Sequence, residues 1–509
     1  MKADDHDHDH DHDMSAEMVS RLPVIVGVGL VSGAQTLSDA EHMPSDPIDL
    51  MTRAAREAVQ DCGIAKVLDA VDLAAVVGGL WSYRNPAALV AERLGIHPLR
   101  TLLTDFGGQV PVQLCADVAT RIQRGDMDIA IVLGGEANAT RRSQMRLTVR
   151  PAKPDDTSSP PEEFWGSPLV MGDESAVLRG ADHPRNAYAI LESAIRARRK
   201  ETHHQSRQRS AAICAGYSQV AAINPHAASG AMSVDEILEP SATNRMVSWP
   251  YTKAMCANNT VDHAGAIIMC SNETADRLGV ASDRRIYPHA YFEGNDTATL
   301  AERDDVAEAP GLRAMATALI GEIGGLDRVK YFDLYCCYPS MVTLTAEALG
   351  IHLDQTMTVT GGLGFAGAPI NFAAGEGLIG MVETLRSDPG TLGVVQANGG
   401  FASKHAFAVL SSTPPLRPCI LVKAAPNREP RPVADAKASG PAIIDGITVE
   451  FDRNGPTRAI ALVRFDDGSR GWANADDAEL MRSIVETEWV GRVVDVFDGH
   501  FTAGDAAVG

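Results

Sequence analysis

The stretch GGLGFAGAPIN (361–371) contains the pattern G-x-G-x-x-G at Gly362, Gly364 and Gly367. The fold turns on whether those glycines cradle a phosphate or close a different kind of corner. A dinucleotide fingerprint needs a strand before it, a helix after it and an acidic residue about 20 positions on to hold the ribose. MTVT (357–360) reads as a strand end, and a helical pattern runs from Gly367 through NFAAGEGLIGMVETL. No strand ends in an acid near the required distance, which makes a nucleotide-dependent oxidoreductase the remotest reading.

Working outward, the pattern is α/β. PVIVGVGLV (23–31) is a β-rich run, and DPIDLMTRAAREAVQDCG (46–63) is a helix with Asp46 as N-cap, Pro47 in the first turn and Gly63 at its end. VDLAAVVGGL (71–80) and DIAIVLGGE (128–136) read as strands, with a helix from about Gly108 to Arg124 between them. The same order returns: a helix near Pro310, a strand from Val329, a helix from Gly367 and a strand from Leu392. An internal duplication is the economical reading. It pairs two loop-to-helix corners, Gly107-Gly108 in the first half and Gly367-Ala368-Pro369 in the second.

At 509 residues the chain suits two or three domains. No run approaches the roughly 18 apolar residues of a membrane helix, and the start has no apolar stretch of a secretory signal. His6, His8, His10 and His12, each followed by Asp, read as a tag or acidic tail. Without its six Asp and one Lys the net charge changes from −21 to −16, which argues against nucleic acid or an anionic membrane as partner. Eight cysteines with no C-x-x-C pair suit a reduced compartment, so a cytoplasmic location is expected. No metal site is expected; the pair His203 and His204 reads as part of a solvated charged helix.

The organisation that follows is a tail (1–20), a first half (21–145 plus 245–290), an inserted loop domain (146–244), a second half (291–413), a linker (414–440) and a further β domain (441–509). Turn signals at Asn454-Gly455, Asp467-Gly468 and Asp498-Gly499 make that last unit a small β-barrel of OB type. From Ala425 onward it carries nine Lys/Arg against fifteen Asp/Glu, which points to packing or a protein partner.

Four segments in order, PYTKAMCANNTVDHAGA (250–266), FDLYCCYPS (332–340), GGLGFAGAP (361–369) and ANGGFASKH (397–405), resemble the corners of the thiolase superfamily. The chain is most similar to sterol-carrier-protein-type thiolases and type 1 thiolase-like proteins with an additional C-terminal domain. The resemblance implies a duplicated five-layer αβαβα fold with the loop domain inserted and the β-barrel-like domain appended. It implies CoA or acyl-CoA as ligand, no other cofactor, acyltransferase chemistry of the acetyl-CoA acetyltransferase kind, and a place in lipid metabolism. Members commonly dimerise, and monomer or homodimer stays open here.

The resemblance also locates what is missing. The nucleophilic Cys of thiolases sits at a buried helix N-terminus, where the dipole favours thiolate; here that position is Gly108. The His of the G-H-P corner is Ala368, the Asn or His of the second-half loop is Tyr335, and the acid/base Cys of the fourth corner is Ala397. Losing a nucleophile costs on the order of 10⁶ in turnover, so ordinary thiolase activity is expected to be absent. Cys337 and Tyr335 are candidates for residual acid/base work, against plain packing of Cys336 and Cys337. Gly107, Gly108, Gly367, Asn398, Gly399, Gly400 and His405 are candidates for acyl-CoA or oxyanion binding, with Asn398 adding a side-chain donor. The alternative is a non-catalytic acyl-CoA binder or a subunit that recruits a partner.

Overall fold

The strand Pro23–Ser32 is buried along its whole length, the signature of a run covered on both faces by helices. In the computed structural model, which describes residues 14–33, 46–98, 100–145, 158–424 and 429–504, it opens a six-stranded sheet. Its order is Pro23–Ser32, Asp262–Ser271, Ile129–Ala137, Leu73–Val76, Arg100–Thr104, Glu163–Trp165. A second sheet of five strands runs Val329–Asp333, Leu392–Gly399, Lys404–Ser411, Tyr287–Asn295, Ile420–Ala424.

The two sheets repeat one wiring. In each, the opening strand pairs antiparallel with the closing strand, which pairs antiparallel with the strand before it, which pairs in parallel with an earlier one. Helices Val110–Arg124 and Ala373–Ser387 occupy corresponding places and both touch both sheets. Helix Pro47–Cys62 covers the outer face of the first sheet and Pro310–Ile323 that of the second. The result is the expected five layers, with the central helices buried between the sheets.

Local chemistry sets the helix limits. Asp46 accepts from the Asp49 N–H, Pro47 opens the first turn and Gly63 closes the helix at φ 74°. The second-half helix begins at Ala373, later than the pattern from Gly367 predicts. Residues before it are held by other contacts: Gly367 has φ 129° and Ile370 φ 48°, conformations that interrupt a helix. MTVT (357–360) is not a strand. Asp333, within the core, instead gathers the Thr358 hydroxyl (2.7 Å), the Val359 and Thr360 N–H groups and the Thr360 hydroxyl.

Three further expectations change. Helix Ala16–Ser20, capped by Ser15, lies within the stretch read as a tail; the histidines before it are outside the described residues. Strand Ile420–Ala424, within the expected linker, pairs in parallel with Tyr287–Asn295 and so belongs to the second sheet. His203 is half-buried rather than solvated, with Nδ1 2.9 Å from the Val485 carbonyl of the C-terminal domain.

That domain is a closed five-stranded barrel of Gly440–Phe451, Pro456–Phe465, Arg470–Ala475, His500–Ala503 and Val493–Phe497. It is welded to the loop domain and to the segment that follows it. Glu450 pairs across strands with Ser248, the buried Arg196 binds Glu488 in a two-pronged contact of 2.8 and 2.9 Å, and the Ile447 N–H donates to Ser193. Among the described residues no helix is long and apolar enough to cross a membrane.

Candidate active site

Three corners and one helix of the loop domain converge on a cavity of about 140 Å³. The first corner, Phe106 and Gly108, leads into helix Val110–Arg124. The second-half loop after strand Val329–Asp333 supplies Tyr335, Cys337 and Tyr338, and the end of strand Leu392–Gly399 supplies Asn398, Gly399 and Gly400. Tyr188 comes from helix Pro184–Arg199.

Gly108, the nucleophile position implied by the resemblance, has no room for a side chain. A Cβ built there would lie 2.6 Å from the Tyr335 hydroxyl oxygen and closer still to the Asn398 carbonyl oxygen. The phenol from the second half thus fills the volume in which a nucleophile of the first half would begin. Tyr335 is fixed from behind, its N–H donating to Gln396 Oε1 at 2.7 Å. Its own hydroxyl has no hydrogen-bond partner among the described residues, and burial raises its pKa above the ordinary phenol value.

Tyr188 organises the far wall. Its hydroxyl donates to the Gly400 carbonyl at 3.0 Å and accepts from the Ala402 N–H at 3.1 Å and from Asn398 Nδ2 at 2.8 Å. Its ring stacks on Tyr338 with centroids 4.7 Å apart. Ala402 is held at φ 53°, and Ile370, on the cavity wall, at φ 48°. Left-handed backbone at non-glycine residues is costly and clusters at functional sites.

The expected site residues divide. Gly108, Tyr335, Cys337, Asn398, Gly399 and Gly400 meet at the cavity. Ala368 and Ala397 are buried and do not line it, and neither do Gly107, Gly367 or His405. Gly367 backs onto His263, whose ring would meet a Cβ there at 2.7 Å. His405 is wholly buried and donates from Nε2 to Asp296 at 3.1 Å, away from the cavity, because Asp296 is tied in turn to the start of helix Pro310–Ile323. The Asn398 amide gives one N–H to the Tyr188 hydroxyl, and its Oδ1 is buried without a partner among the described residues.

The cysteines divide too. Cys337 lies against the Tyr188 hydroxyl and lines the cavity, whereas Cys336 meets Cys214 on the other side. Burial pushes the Cys337 thiol up to about 12. A thiol raised in this way stays protonated near neutral pH, which disfavours thiolate chemistry at Cys337. Cys115, on the central helix, is pushed up to about 12 as well, with no opposing cause.

The glycines of the 361–371 stretch answer to packing. A Cβ at Gly361 would strike the Ala221 backbone and one at Gly362 the Tyr217 ring, both on the loop-domain helix His203–Ala221. They permit close approach of that helix, and no strand leads into them as a dinucleotide site requires. Tyr188 and Tyr338 were not singled out by sequence. Tyr338 stands inside the FDLYCCYPS motif, but Tyr188 sits in an ordinary amphipathic helix and carries no local signal.

The comparisons agree with this fold. Residues 422–499 match the family model described as the thiolase-like protein type 1 additional C-terminal domain. The crystal structure of a monomeric SCP2-thiolase-like protein type 1 from Mycobacterium smegmatis superposes with a TM-score of 0.79 at 28% identity, covering 95% of this chain and 99% of that one. The chain has the thiolase-like fold and carries the additional C-terminal domain of type 1 thiolase-like proteins. Two other solved structures share the fold of this thiolase-like chain at 14% identity and over 77% of its length: the Ltp2-ChsH2(DUF35) aldolase, TM-score 0.58 over 98% of that chain, and acetyl-CoA acetyltransferase from Syntrophomonas wolfei, TM-score 0.55 over 99%. No curated protein sequence matches significantly.

Proposed function

We propose that this thiolase-like protein binds acyl thioesters of coenzyme A in the Tyr335 cavity and handles them without a covalent acyl-enzyme. The observation that carries the reading is the Tyr335 hydroxyl standing where a side chain at Gly108 would begin. A nucleophile is not merely absent; its place is filled. The groups left around the cavity, the phenols of Tyr335 and Tyr338 and the neutral thiol of Cys337, can donate protons to a thioester oxygen. All eight cysteines are free, which supports a reducing, cytoplasmic setting; a role in lipid metabolism follows only from the thioester ligand proposed.

Those same donors favour a second reading, acid-assisted making or breaking of a carbon–carbon bond. One structural neighbour is an aldolase. The barrel domain serves in either case as an internal brace; partner recruitment would fall to its outer face, where Val493 and Phe497 are exposed.

Calorimetric titration of the protein with CoA, acetyl-CoA and a long-chain acyl-CoA tests the proposal, with acetoacetyl-CoA thiolysis assayed in parallel. Saturable binding without thiolysis is expected. No binding up to millimolar ligand would sink the thioester reading, and measurable thiolysis would sink the claim that covalent chemistry is lost.

A further inference from the structure

The Tyr335 cavity, at about 140 Å³, is smaller than the roughly 300 Å³ at which ligand pockets begin. A thioester that reaches Tyr335 therefore needs one wall to give way. Most of the walls are tied down. Tyr335 is held by Gln396, Tyr188 by Gly400, Ala402 and Asn398, and Asn371 by the Gly78 carbonyl. Cys337 and Ala257 are joined through the main chain, the Ala257 N–H donating to the Cys337 carbonyl at 3.0 Å.

One wall is different. Between strand Glu163–Trp165 and helix Glu174–Arg179 the chain runs through GSPLVMG (166–172) without regular structure, and this strap lays Leu169 and Met171 on the cavity. Gly166, Ser167, Pro168 and Val170 are exposed. The strap ends in Gly166 at φ 123° and Gly172 at φ 145°, backbone that glycine adopts without a Cβ penalty. No main-chain hydrogen bond joins it to the other described residues. Its only hydrogen bonds among them come from Lys404, whose Nζ donates to the Ser167 carbonyl (3.2 Å), the Ser167 hydroxyl (2.9 Å) and the Pro168 carbonyl (3.3 Å). Lys404 itself is rooted in the sheet, paired across strands with Gly399 of the cavity wall. A segment so weakly bonded belongs to the low-stability end of a fold, from which lids are drawn.

We infer that segment 166–172 is the gate of the cavity and that Lys404 is its latch. Opening lifts Leu169 and Met171 off the cavity between the two glycines and gives up the bonds from one ammonium. The gate admits the acyl chain, and a longer chain depends on it more, because the closed cavity holds only a short one. The inference rests on the thioester reading above and adds how the ligand enters.

Lys404→Met keeps the length of the side chain and removes its donors. Thermolysin, which cuts before Leu, Val and Met, reads the open fraction of the native protein without any ligand, the cuts being mapped by mass spectrometry. Cleavage within 166–172 should run about tenfold faster in the variant, because bonds to a charged group hold the closed form and cleavage follows the open population. The denaturation midpoint and the cuts elsewhere should not move, which shows that the variant is folded. Stopped-flow binding of acetyl-CoA, butyryl-CoA and octanoyl-CoA is the second arm, with association faster in the variant and by the widest margin for octanoyl-CoA. Equal cleavage of the two proteins overturns the inference. Faster cleavage with unchanged association means a loose strap that gates nothing, which also overturns it and leaves the thioester reading standing. If no thioester binds either protein, the thioester reading falls and the gate with it. Should Lys404→Met not fold, Leu169→Ala decides: it trims the strap and leaves the latch, so octanoyl-CoA should associate faster, and an unchanged rate would overturn the inference.

Discussion

The two halves end their central strands in corresponding ways and put the ends to different uses. In the first half Glu136 faces His263 across the strands; in the second Asn398 faces His405. Both histidines are buried and each bonds a carboxylate, His263 to Glu376 at 2.8 Å and His405 to Asp296 at 3.1 Å. The residue opposite makes the difference. Glu136 is occupied by the Leu80 N–H at 2.6 Å and closes the first sheet onto its own loop. Asn398 lines the cavity with Tyr335 and gives an amide N–H to the Tyr188 hydroxyl. One strand end has become a lock and the other a site wall, on a backbone that treats them alike.

The lock is fastened by Phe372, so removing that ring should have the largest effect. It lies so close against Gly134 and Gly265 that a Cβ at either glycine would run into ring carbons. Phe372→Ala should cost about 3–5 kcal/mol and separate the second-half corner from the first sheet. Chemical denaturation would show it as a lowered midpoint. An unchanged midpoint would mean that the corner is held by the Asn371 bond to the Gly78 carbonyl instead.

Glu136 gives the comparison a pH signature. Burial raises its carboxyl from 4.5 to about 7, against the lowering effect of the Leu80 N–H and Arg141. As pH rises, the unfolded chain gives up this proton before the folded one does, so the group's stabilising contribution is full below 4.5 and is lost as pH climbs to about 7. The loss amounts to about 3 kcal/mol. Glu136→Gln keeps the acceptor for Leu80 and cannot ionise, so the difference in denaturation midpoint between the two proteins should move in the variant's favour between about pH 5 and pH 8. A difference that stays constant across that window would remove Glu136 as the titrating group.

How far the sequence reveals this follows the range of the interactions. The duplicated order of elements and the barrel are local patterns and were legible. The late start of helix Ala373–Ser387 was not, because Gly367 and Ile370 interrupt it to satisfy contacts with His263 and the cavity. Nor were the orientation of Asn398 or the role of Tyr188, since 210 residues separate the pair. His405 looked like a ligand contact from its place beside the glycines, and only the fold shows it turned to Asp296.

The smallest of the stability effects addresses the crossing of the halves at Gly108 directly. Gly108→Ala adds one methyl group against the Tyr335 hydroxyl and the Asn398 carbonyl, and should destabilise by about 1–3 kcal/mol. Tyr335→Phe removes the first obstacle and leaves the second, which is backbone and cannot swing aside. The double variant should therefore recover part of the loss but not all of it, a coupling that a double-mutant cycle isolates. Full additivity would mean that Tyr335 does not occupy the vacant side-chain space. Complete recovery would mean that the phenol is the whole obstacle, and Gly108→Cys would then fit in the Tyr335→Phe background. Partial recovery, the outcome expected, means that placing a cysteine at Gly108 does not by itself make room for cysteine chemistry, because the end of the second-half strand also stands against that position.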